Sequence, residues 1–108
     1  MLRRAPERTQ EERRSALEEA NRVRFARADA KRDLKNGSLR IYDLLMDPSE
    51  ELKGAKVEEM LLAMRGMGRV KVTRTMREAG VSRSKTLVGL THGQRDRLLR
   101  ALGCDEAG

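Results

Sequence analysis

Apolar side chains recur at helical spacing along most of this chain, and no segment alternates between apolar and polar residues as an exposed strand would. The first long segment, residues 10–35, contains neither Pro nor Gly and is rich in Ala, Leu, Arg, Lys and Glu. Thr9 and Glu12 match a capping box at its start, and Asn36-Gly37 is a typical stop at its end. The pattern predicts one helix of roughly 39 Å, at 1.5 Å per residue.

The apolar stripe of this long helix is thin. It contains only Ala16, Ala20, Val23, Ala30 and Leu34, and Arg27 interrupts it. We therefore expect the helix to pack by its C-terminal half and to project its N-terminal half, unless a partner covers that half. A second stripe is basic and comprises Arg24, Arg27, Lys31 and Lys35. These cations fit either phosphate contacts or an exposed face joined by salt bridges to nearby Asp and Glu, and the residues alone leave both interpretations open.

Four shorter apolar segments follow, and each fits a helix. The predicted helices cover about residues 39–46, 56–65, 69–79 and 91–102. Ser38 is expected to cap the first of them and Thr91 the last, while Gly80 and Gly103 end the third and the fourth. The side chains expected in the core are aliphatic: Val57, Met60, Leu61, Met64, Met76, Ala79, Leu98, Leu99, Leu102 and either Val70 or Val72. The chain is thus predicted to be all-α, with a long N-terminal helix followed by a small helical domain.

Composition adds a preference for polyanions. The chain has 108 residues, 24 Lys and Arg against 17 Asp and Glu, a net charge of +7 and a pI near 10.3. The charge is segregated, because residues 65–100 hold ten basic and two acidic side chains, whereas residues 41–64 hold two basic and six acidic ones. This distribution favours a basic face that binds nucleic acid over basic residues that serve only solubility.

Several other classes of protein are disfavoured. The single cysteine, Cys104, excludes an internal disulfide framework and suits a reducing cytoplasm. No apolar run approaches the roughly 20 residues that span a bilayer, and no apolar segment follows the basic N-terminus as in a secretory signal. His92 is the only histidine, and no carboxylate pair accompanies it or Cys104. We therefore expect that the protein is not an enzyme and that it binds no metal or cofactor. We also expect His92 to be exposed and Cys104 to have no role.

The Gly66-Met67-Gly68 sequence lies between two apolar-patterned helices and predicts a phosphate site. The first N–H groups of a helix lack intrahelical acceptors and carry partial positive charge, so they bind phosphates. Gly66 is expected to take a positive φ, Met67 to point inward, and Gly68 to leave room for a close approach. The cations Arg69, Lys71 and Arg74 would flank the site. The alternative is a purely structural turn between two helices.

A second candidate patch lies in the connector before the last helix. Arg83, Ser84, Lys85 and Thr86 all carry donors for phosphate oxygens. Arg95, Arg97 and Arg100 follow on the last helix, where a solvated face is the alternative interpretation. Phe25 and Tyr42 are the only aromatic residues, so stacking on single-stranded bases is not expected.

From about Thr9 to Gly103 the residues also carry a resemblance. They are the basic helix ending Asp33-Leu34-Lys35-Asn36-Gly37, then Lys56-Val57, Gly68-Arg69-Val70-Lys71, Met76, Gly89-Leu90, Gln94-Arg95 and Leu98-Leu99. The chain resembles the actinobacterial integration host factor family, which consists of nucleoid-associated proteins with a long N-terminal helix and a small domain of the helix-two-turn-helix type. The turn is also similar to that of a small-subunit ribosomal protein and of some DNA glycosylases.

The resemblance implies largely sequence-independent binding to the phosphate backbone of double-stranded DNA, DNA bending or compaction, and assistance to phage-type integrase complexes in site-specific recombination. It also implies a cytoplasmic location in the nucleoid, without a membrane partner, and we expect a monomer in solution. The chain then divides into a disordered N-terminus (1–8), a long basic helix (9–37), a helix-two-turn-helix DNA-binding domain (38–103) and a tail (104–108).

By position, the resemblance places the DNA contacts around Gly66–Lys71 and around Arg83–Thr86, with further contacts from Arg24, Arg27 and Lys31 of the basic stripe. Relatives commonly have a proline near the position of Arg65, and their connector is often richer in arginine than this one. The second contact surface is therefore expected to be weaker, or shifted to Arg83 and Arg95.

Two other functions fit the sequence. A ribosomal-type RNA-binding protein would share the turn and the basic charge, although that class usually carries a basic C-terminal extension where this chain has Asp105 and Glu106. A helical protein-interaction module would use the long helix as its docking arm. A preference for A-form RNA over duplex DNA would indicate the first, and insensitivity to changes at Gly68, Arg69 and Lys71 would indicate the second.

Overall fold

Five α-helices make up the regular structure of residues 9–103, which are the residues that the computed structural model of the protein describes. In chain order they are α1 (Gln10–Asn36), α2 (Ile41–Met46), α3 (Val57–Ala63), α4 (Arg69–Ala79) and α5 (His92–Ala101). The helical prediction is confirmed for these residues. The expectations for residues 1–8 and for the tail with Cys104 lie outside the described part of the chain.

Helix α1 follows the boundaries that its capping signals predict. The N–H of Glu12 donates to Thr9 Oγ1 at 3.0 Å, and the N–H of Thr9 donates to Glu12 Oε1 at 2.7 Å. Gly37 closes the other end with a φ of 87°. Ala30 and Leu34 are buried, whereas the N-terminal half is largely exposed, and the molecule measures 62 × 27 × 24 Å. The helix therefore packs by its C-terminal half and projects the rest, as its thin apolar stripe predicts.

The predicted cap at Ser38 is wrong. Helix α2 begins at Ile41, its N-cap is Arg40, and no side chain caps it. The N–H of Ser38 donates instead to Asn36 Oδ1 at 2.8 Å, and the N–H of Leu39 donates to the Asp33 carbonyl at 3.1 Å. The chain is thus still completing the end of α1 at these residues, which is why the next helix starts later than the side-chain pattern suggests.

The core is aliphatic, and all five helices contribute buried side chains to it, α1 through its C-terminal half. Val57, Met60, Leu61 and Leu98 are fully buried. Val72 is the core residue at the start of α4, whereas Val70 is 79% exposed, which settles the choice that the sequence left open. Met64, Met67, Leu102 and Tyr42 pack partly buried against this core. Phe25, by contrast, is 64% exposed on α1.

Backbone hydrogen bonds fix the connector (residues 82–86) and the two residues after it to the segment before α3. The N–H of Val57 donates to the Lys85 carbonyl at 3.0 Å, and the N–H of Leu87 donates to the Ala55 carbonyl at 2.9 Å. Within the described residues, the one β-type pairing is an antiparallel bridge between Lys56 and Thr86. The connector is therefore held against the start of α3.

Candidate nucleic-acid interface

The Gly-Met-Gly turn (Gly66-Met67-Gly68) has the backbone geometry that its sequence predicts. Gly66 takes a φ of 78°, a conformation that few other residues adopt without strain. Met67 is half-buried against the core, and its N–H donates to the Met64 carbonyl at 3.2 Å. Gly68 is the N-cap of α4 with an extended backbone, at φ −90° and ψ 173°. The turn thus anchors itself through Met67 and presents Gly68 to solvent.

The start of α4 is open to an anion. No side chain caps it, and its first turn contains no acidic residue. Its first backbone hydrogen bond runs from the N–H of Val72 to the Gly68 carbonyl at 2.9 Å, which leaves the three preceding N–H groups without a helical acceptor. In contrast, capping boxes close the starts of α1 and α5. A Cβ added at Gly66 or Gly68 would meet no atom within 4 Å, so nothing of the described chain covers this surface.

The cations beside this turn are not neutralised within the described part of the chain. Arg69, Lys71 and Arg74 are exposed, and none of them makes an ion pair with another described residue. On α1, by comparison, Arg22 pairs with Glu19 at 2.8 Å. The open backbone and the free positive charge therefore coincide at the start of α4.

The basic stripe of α1 is partly engaged by the protein itself. Arg24 Nη1 donates to Asn21 Oδ1 at 3.2 Å, and Lys31 forms an ion pair with Glu59 of α3. Arg27 is half-buried, and its Nε has no hydrogen-bond partner among the described residues. Of these residues, Lys31 therefore joins α1 to α3, while Arg24 is held within α1.

The connector presents one tethered arginine. Arg83 Nε donates to Glu58 Oε2 at 3.0 Å, although the Arg83 side chain is 77% exposed and that of Glu58 is 18% exposed. Ser84 is exposed next to it, and its hydroxyl lies 3.3 Å from that of Ser82. Lys85 and Thr86 are half-buried. Of the four predicted contact residues, Arg83 is thus held beside α3 by Glu58.

Two of the three arginines of α5, Arg95 and Arg97, contact other groups of the protein. Arg95 is half-buried, and its Nη2 lies 3.1 Å from Nδ1 of the exposed His92. Arg97 donates from Nε to the Ala79 carbonyl at 3.2 Å, while Arg100 is exposed. Gln94 Nε2 donates to the Gly80 carbonyl at 2.9 Å, so α5 holds the C-terminal end of α4.

Sequence reasoning missed Arg65 and Arg77 as exposed cations near the site. Arg65 directly precedes the Gly-Met-Gly turn, and Arg77 follows Arg74 by three residues on α4. Helical spacing could have indicated Arg77, but the surroundings of Arg65 depend on how α1 packs.

Within the described residues there is no group of three or more His, Cys, Asp or Glu side chains that could hold a metal ion. None of the described helices is long and apolar enough to cross a membrane.

This arrangement of helices defines a helix-two-turn-helix protein, since residues 34–102 match the family described as the S13-like H2TH domain. The chain is 38% identical over 100 residues to the integration host factor of Mycobacterium tuberculosis, a match covering 91% of this chain and 95% of that protein. It is 31% identical over 100 residues to the integration host factor of Streptomyces coelicolor, covering 91% and 94%. The chain therefore belongs to the actinobacterial integration host factor family.

A solved structure of sIHF bound to an 8-bp palindromic DNA has the same fold. The match has a TM-score of 0.72 and 27% sequence identity, and it covers 77% of this chain and 96% of that one. The predicted family and the predicted all-α, helix-two-turn-helix fold are thereby confirmed.

Proposed function

We propose that this protein binds double-stranded DNA through phosphate contacts, with little sequence specificity, and that it bends or compacts DNA in the nucleoid. The observation that carries the proposal is the start of α4, where unbonded N–H groups and unneutralised cations coincide. The solved DNA complex of the related sIHF supports the same partner.

The contacts proposed at the turn follow from helix-terminus chemistry. The N–H groups of Arg69, Val70 and Lys71 donate to the oxygens of one phosphate, while the helix dipole adds to the attraction. The absence of a side chain at Gly66 and Gly68 lets that phosphate approach the backbone. The side chains of Arg69, Lys71 and Arg74 contact this phosphate or its neighbours.

A second set of contacts is proposed at the connector. Arg83 exchanges Glu58 for a phosphate, and Ser84, Lys85 and Thr86 donate beside it. Arg95 is half-buried and one of its nitrogens already lies beside His92, so we assign it a smaller part. Two patches on one domain can bend a single duplex or bridge two duplexes, and both actions compact DNA.

We assign the protein an architectural role and not an enzymatic one. A bent duplex brings distant sites together, and this is how such a protein would assist phage-type integrase complexes in recombination. A cytoplasmic location in the nucleoid and a monomeric state in solution belong to the same proposal. We propose additional, weaker contacts from Arg24, Arg27 and Lys31. They are weaker because Arg24 already bonds to Asn21 and Lys31 already pairs with Glu59.

The test of this function compares the affinity of the protein for duplex DNA with its affinity for A-form RNA of equal length at equal salt. It separates the proposed function from RNA binding of the ribosomal type. We expect tighter binding to DNA, and similar affinities for DNA duplexes of unrelated sequence, because phosphate contacts do not report the base. Fluorescence anisotropy with labelled duplexes measures both. A clear preference for RNA, or an affinity that depends strongly on the DNA sequence, would overturn the proposal.

A further inference from the structure

An open groove runs between the C-terminal half of α1 and the segment that leads into the Gly-Met-Gly turn. Its volume is about 580 Å³. Lys31, Arg32, Lys35 and Arg65 line it, Gly66 belongs to its lining, and no acidic side chain does. The groove is therefore basic and continuous with the turn.

Ion pairs cancel only part of this charge. Lys31 pairs with Glu59. Arg32 Nη1 lies 3.2 Å from Asp29 Oδ1, and Arg32 Nε lies 3.5 Å from Asp33 Oδ1. Lys35 and Arg65 are exposed, and neither makes an ion pair with a residue of the described chain. Two positive charges thus face the groove without a counter-charge.

The floor of the groove is apolar, which distinguishes it from a site for a small anion. Leu62, Ala63 and Met64 contribute to its lining and are half-buried. A free phosphate would gain nothing from such a floor. A sugar–phosphate strand, however, combines anionic phosphates with the weakly polar face of deoxyribose, so cationic walls over an apolar floor suit it.

The structure assigns this groove to the sugar–phosphate backbone of a DNA duplex, with Lys35 and Arg65 as its phosphate contacts. The assignment rests on the proposed function, because the duplex is the one that binds at the start of α4. DNA carries about one negative charge per 1.7 Å of helix axis, so a duplex seated at Gly68 brings further phosphates near Gly66 and the groove. The groove then sets how the duplex is oriented along α1.

Lys35 also lies in the last turn of α1, where a cation can interact with the helix dipole without any DNA. If Lys35 only interacts with the helix dipole, its loss changes thermal stability and leaves the affinity for DNA unchanged. If Lys35 contacts a phosphate, its loss lowers the affinity for DNA and leaves thermal stability unchanged. Measuring thermal stability and affinity on the same variants separates these two roles.

The test is the double variant Lys35→Gln with Arg65→Gln, measured by anisotropy on a generic duplex across a salt series. Neutralising two phosphate contacts should make the log–log salt slope shallower by about 1.8 units, and should weaken binding by roughly tenfold near 0.1 M salt. The matched control, Arg14→Gln with Arg100→Gln, removes the same charge from two exposed positions outside the groove. The charge-conserving pair Lys35→Arg with Arg65→Lys should bind like the wild type.

The outcomes distinguish the groove from the function on which it rests. If the wild type binds duplex DNA and the groove variant has the same log–log salt slope, the assignment of the groove is wrong but the proposed function stands. An equal loss in the control also overturns the assignment of the groove, because net charge then explains the effect. Failure of the wild-type protein to bind any duplex overturns the proposed function together with the groove. Circular dichroism melting of each variant confirms that it is folded.

Discussion

At the scale of single residues, Gly66 and Gly68 serve different needs. Gly66 has a positive φ, so the turn itself requires glycine there. Gly68 has an ordinary φ of −90°, and a Cβ added to it meets nothing within 4 Å. The turn therefore does not require glycine at position 68, where glycine is a moderately favoured N-cap, and an approaching phosphate gives a further reason for a bare backbone at the start of α4.

The substitution Gly68→Ala tests this distinction. We expect the free energy of unfolding to fall by no more than about 1 kcal/mol, the usual effect of a poor N-cap residue. Affinity for duplex DNA should fall roughly tenfold, because charge-assisted hydrogen bonds worth about 1.5–3 kcal/mol are weakened. Urea denaturation and anisotropy measure the two quantities. Gly66→Ala is the comparison, since strain should lower its stability more; unchanged DNA affinity in Gly68→Ala would contradict the proposed contact.

At the scale of the elements, the first turn of α3 connects the candidate surfaces. Its adjacent acidic residues, Glu58 and Glu59, hold Arg83 of the connector and Lys31 of α1. Acidic side chains at a helix start also interact favourably with the helix dipole, so α3 can retain them while DNA competes for their partners. This short helix thereby keeps two cations in place without burying them.

The variant Glu58→Gln should release Arg83 and strengthen DNA binding. We expect a gain of roughly two- to fivefold, since exposed ion pairs are worth only about 0.2–1 kcal/mol. The control is Glu50→Gln, which removes the same charge from the exposed pair with Lys53 at 3.2 Å. Anisotropy at fixed salt compares the two. An equal gain in both variants would mean that net charge, and not release of Arg83, determines the affinity.

Local signals in the sequence predict most of these elements. The capping box at Thr9, the stop at Gly37 and the turn at Gly68 correctly locate the start of α1, its end and the start of α4, because neighbouring residues determine each of them. Ser38 is not a cap because residues 38 and 39 complete the end of α1 and α2 begins only at Ile41. The pairing of Arg83 with Glu58 joins residues 25 positions apart, and helical spacing carries no information about such contacts.

At the scale of the whole molecule, charge is distributed unevenly over an elongated shape. The molecule extends 62 Å in its longest direction, and α1, with 27 residues, is about 40 Å long at 1.5 Å per residue. Only the C-terminal half of α1 contributes buried side chains to the core. Ion pairs with acidic residues hold Lys31, Arg32 and Arg83, whereas the start of α4 and the groove retain cations that make no ion pair within the described chain. Composition predicted a basic face, but only the packing of α1 on α3 reveals which cations stay free.

The central claim is that phosphate binding depends on the start of α4. Its most direct test is the salt dependence of duplex binding, measured for the wild type and for the double variant Arg69→Glu with Lys71→Glu. Circular dichroism first confirms that both proteins are folded. With about six phosphate contacts, the wild type should show a log–log slope near −5, and the double variant a slope at least about two units shallower with affinity reduced more than tenfold. Equal slopes and affinities for the two proteins would contradict the account.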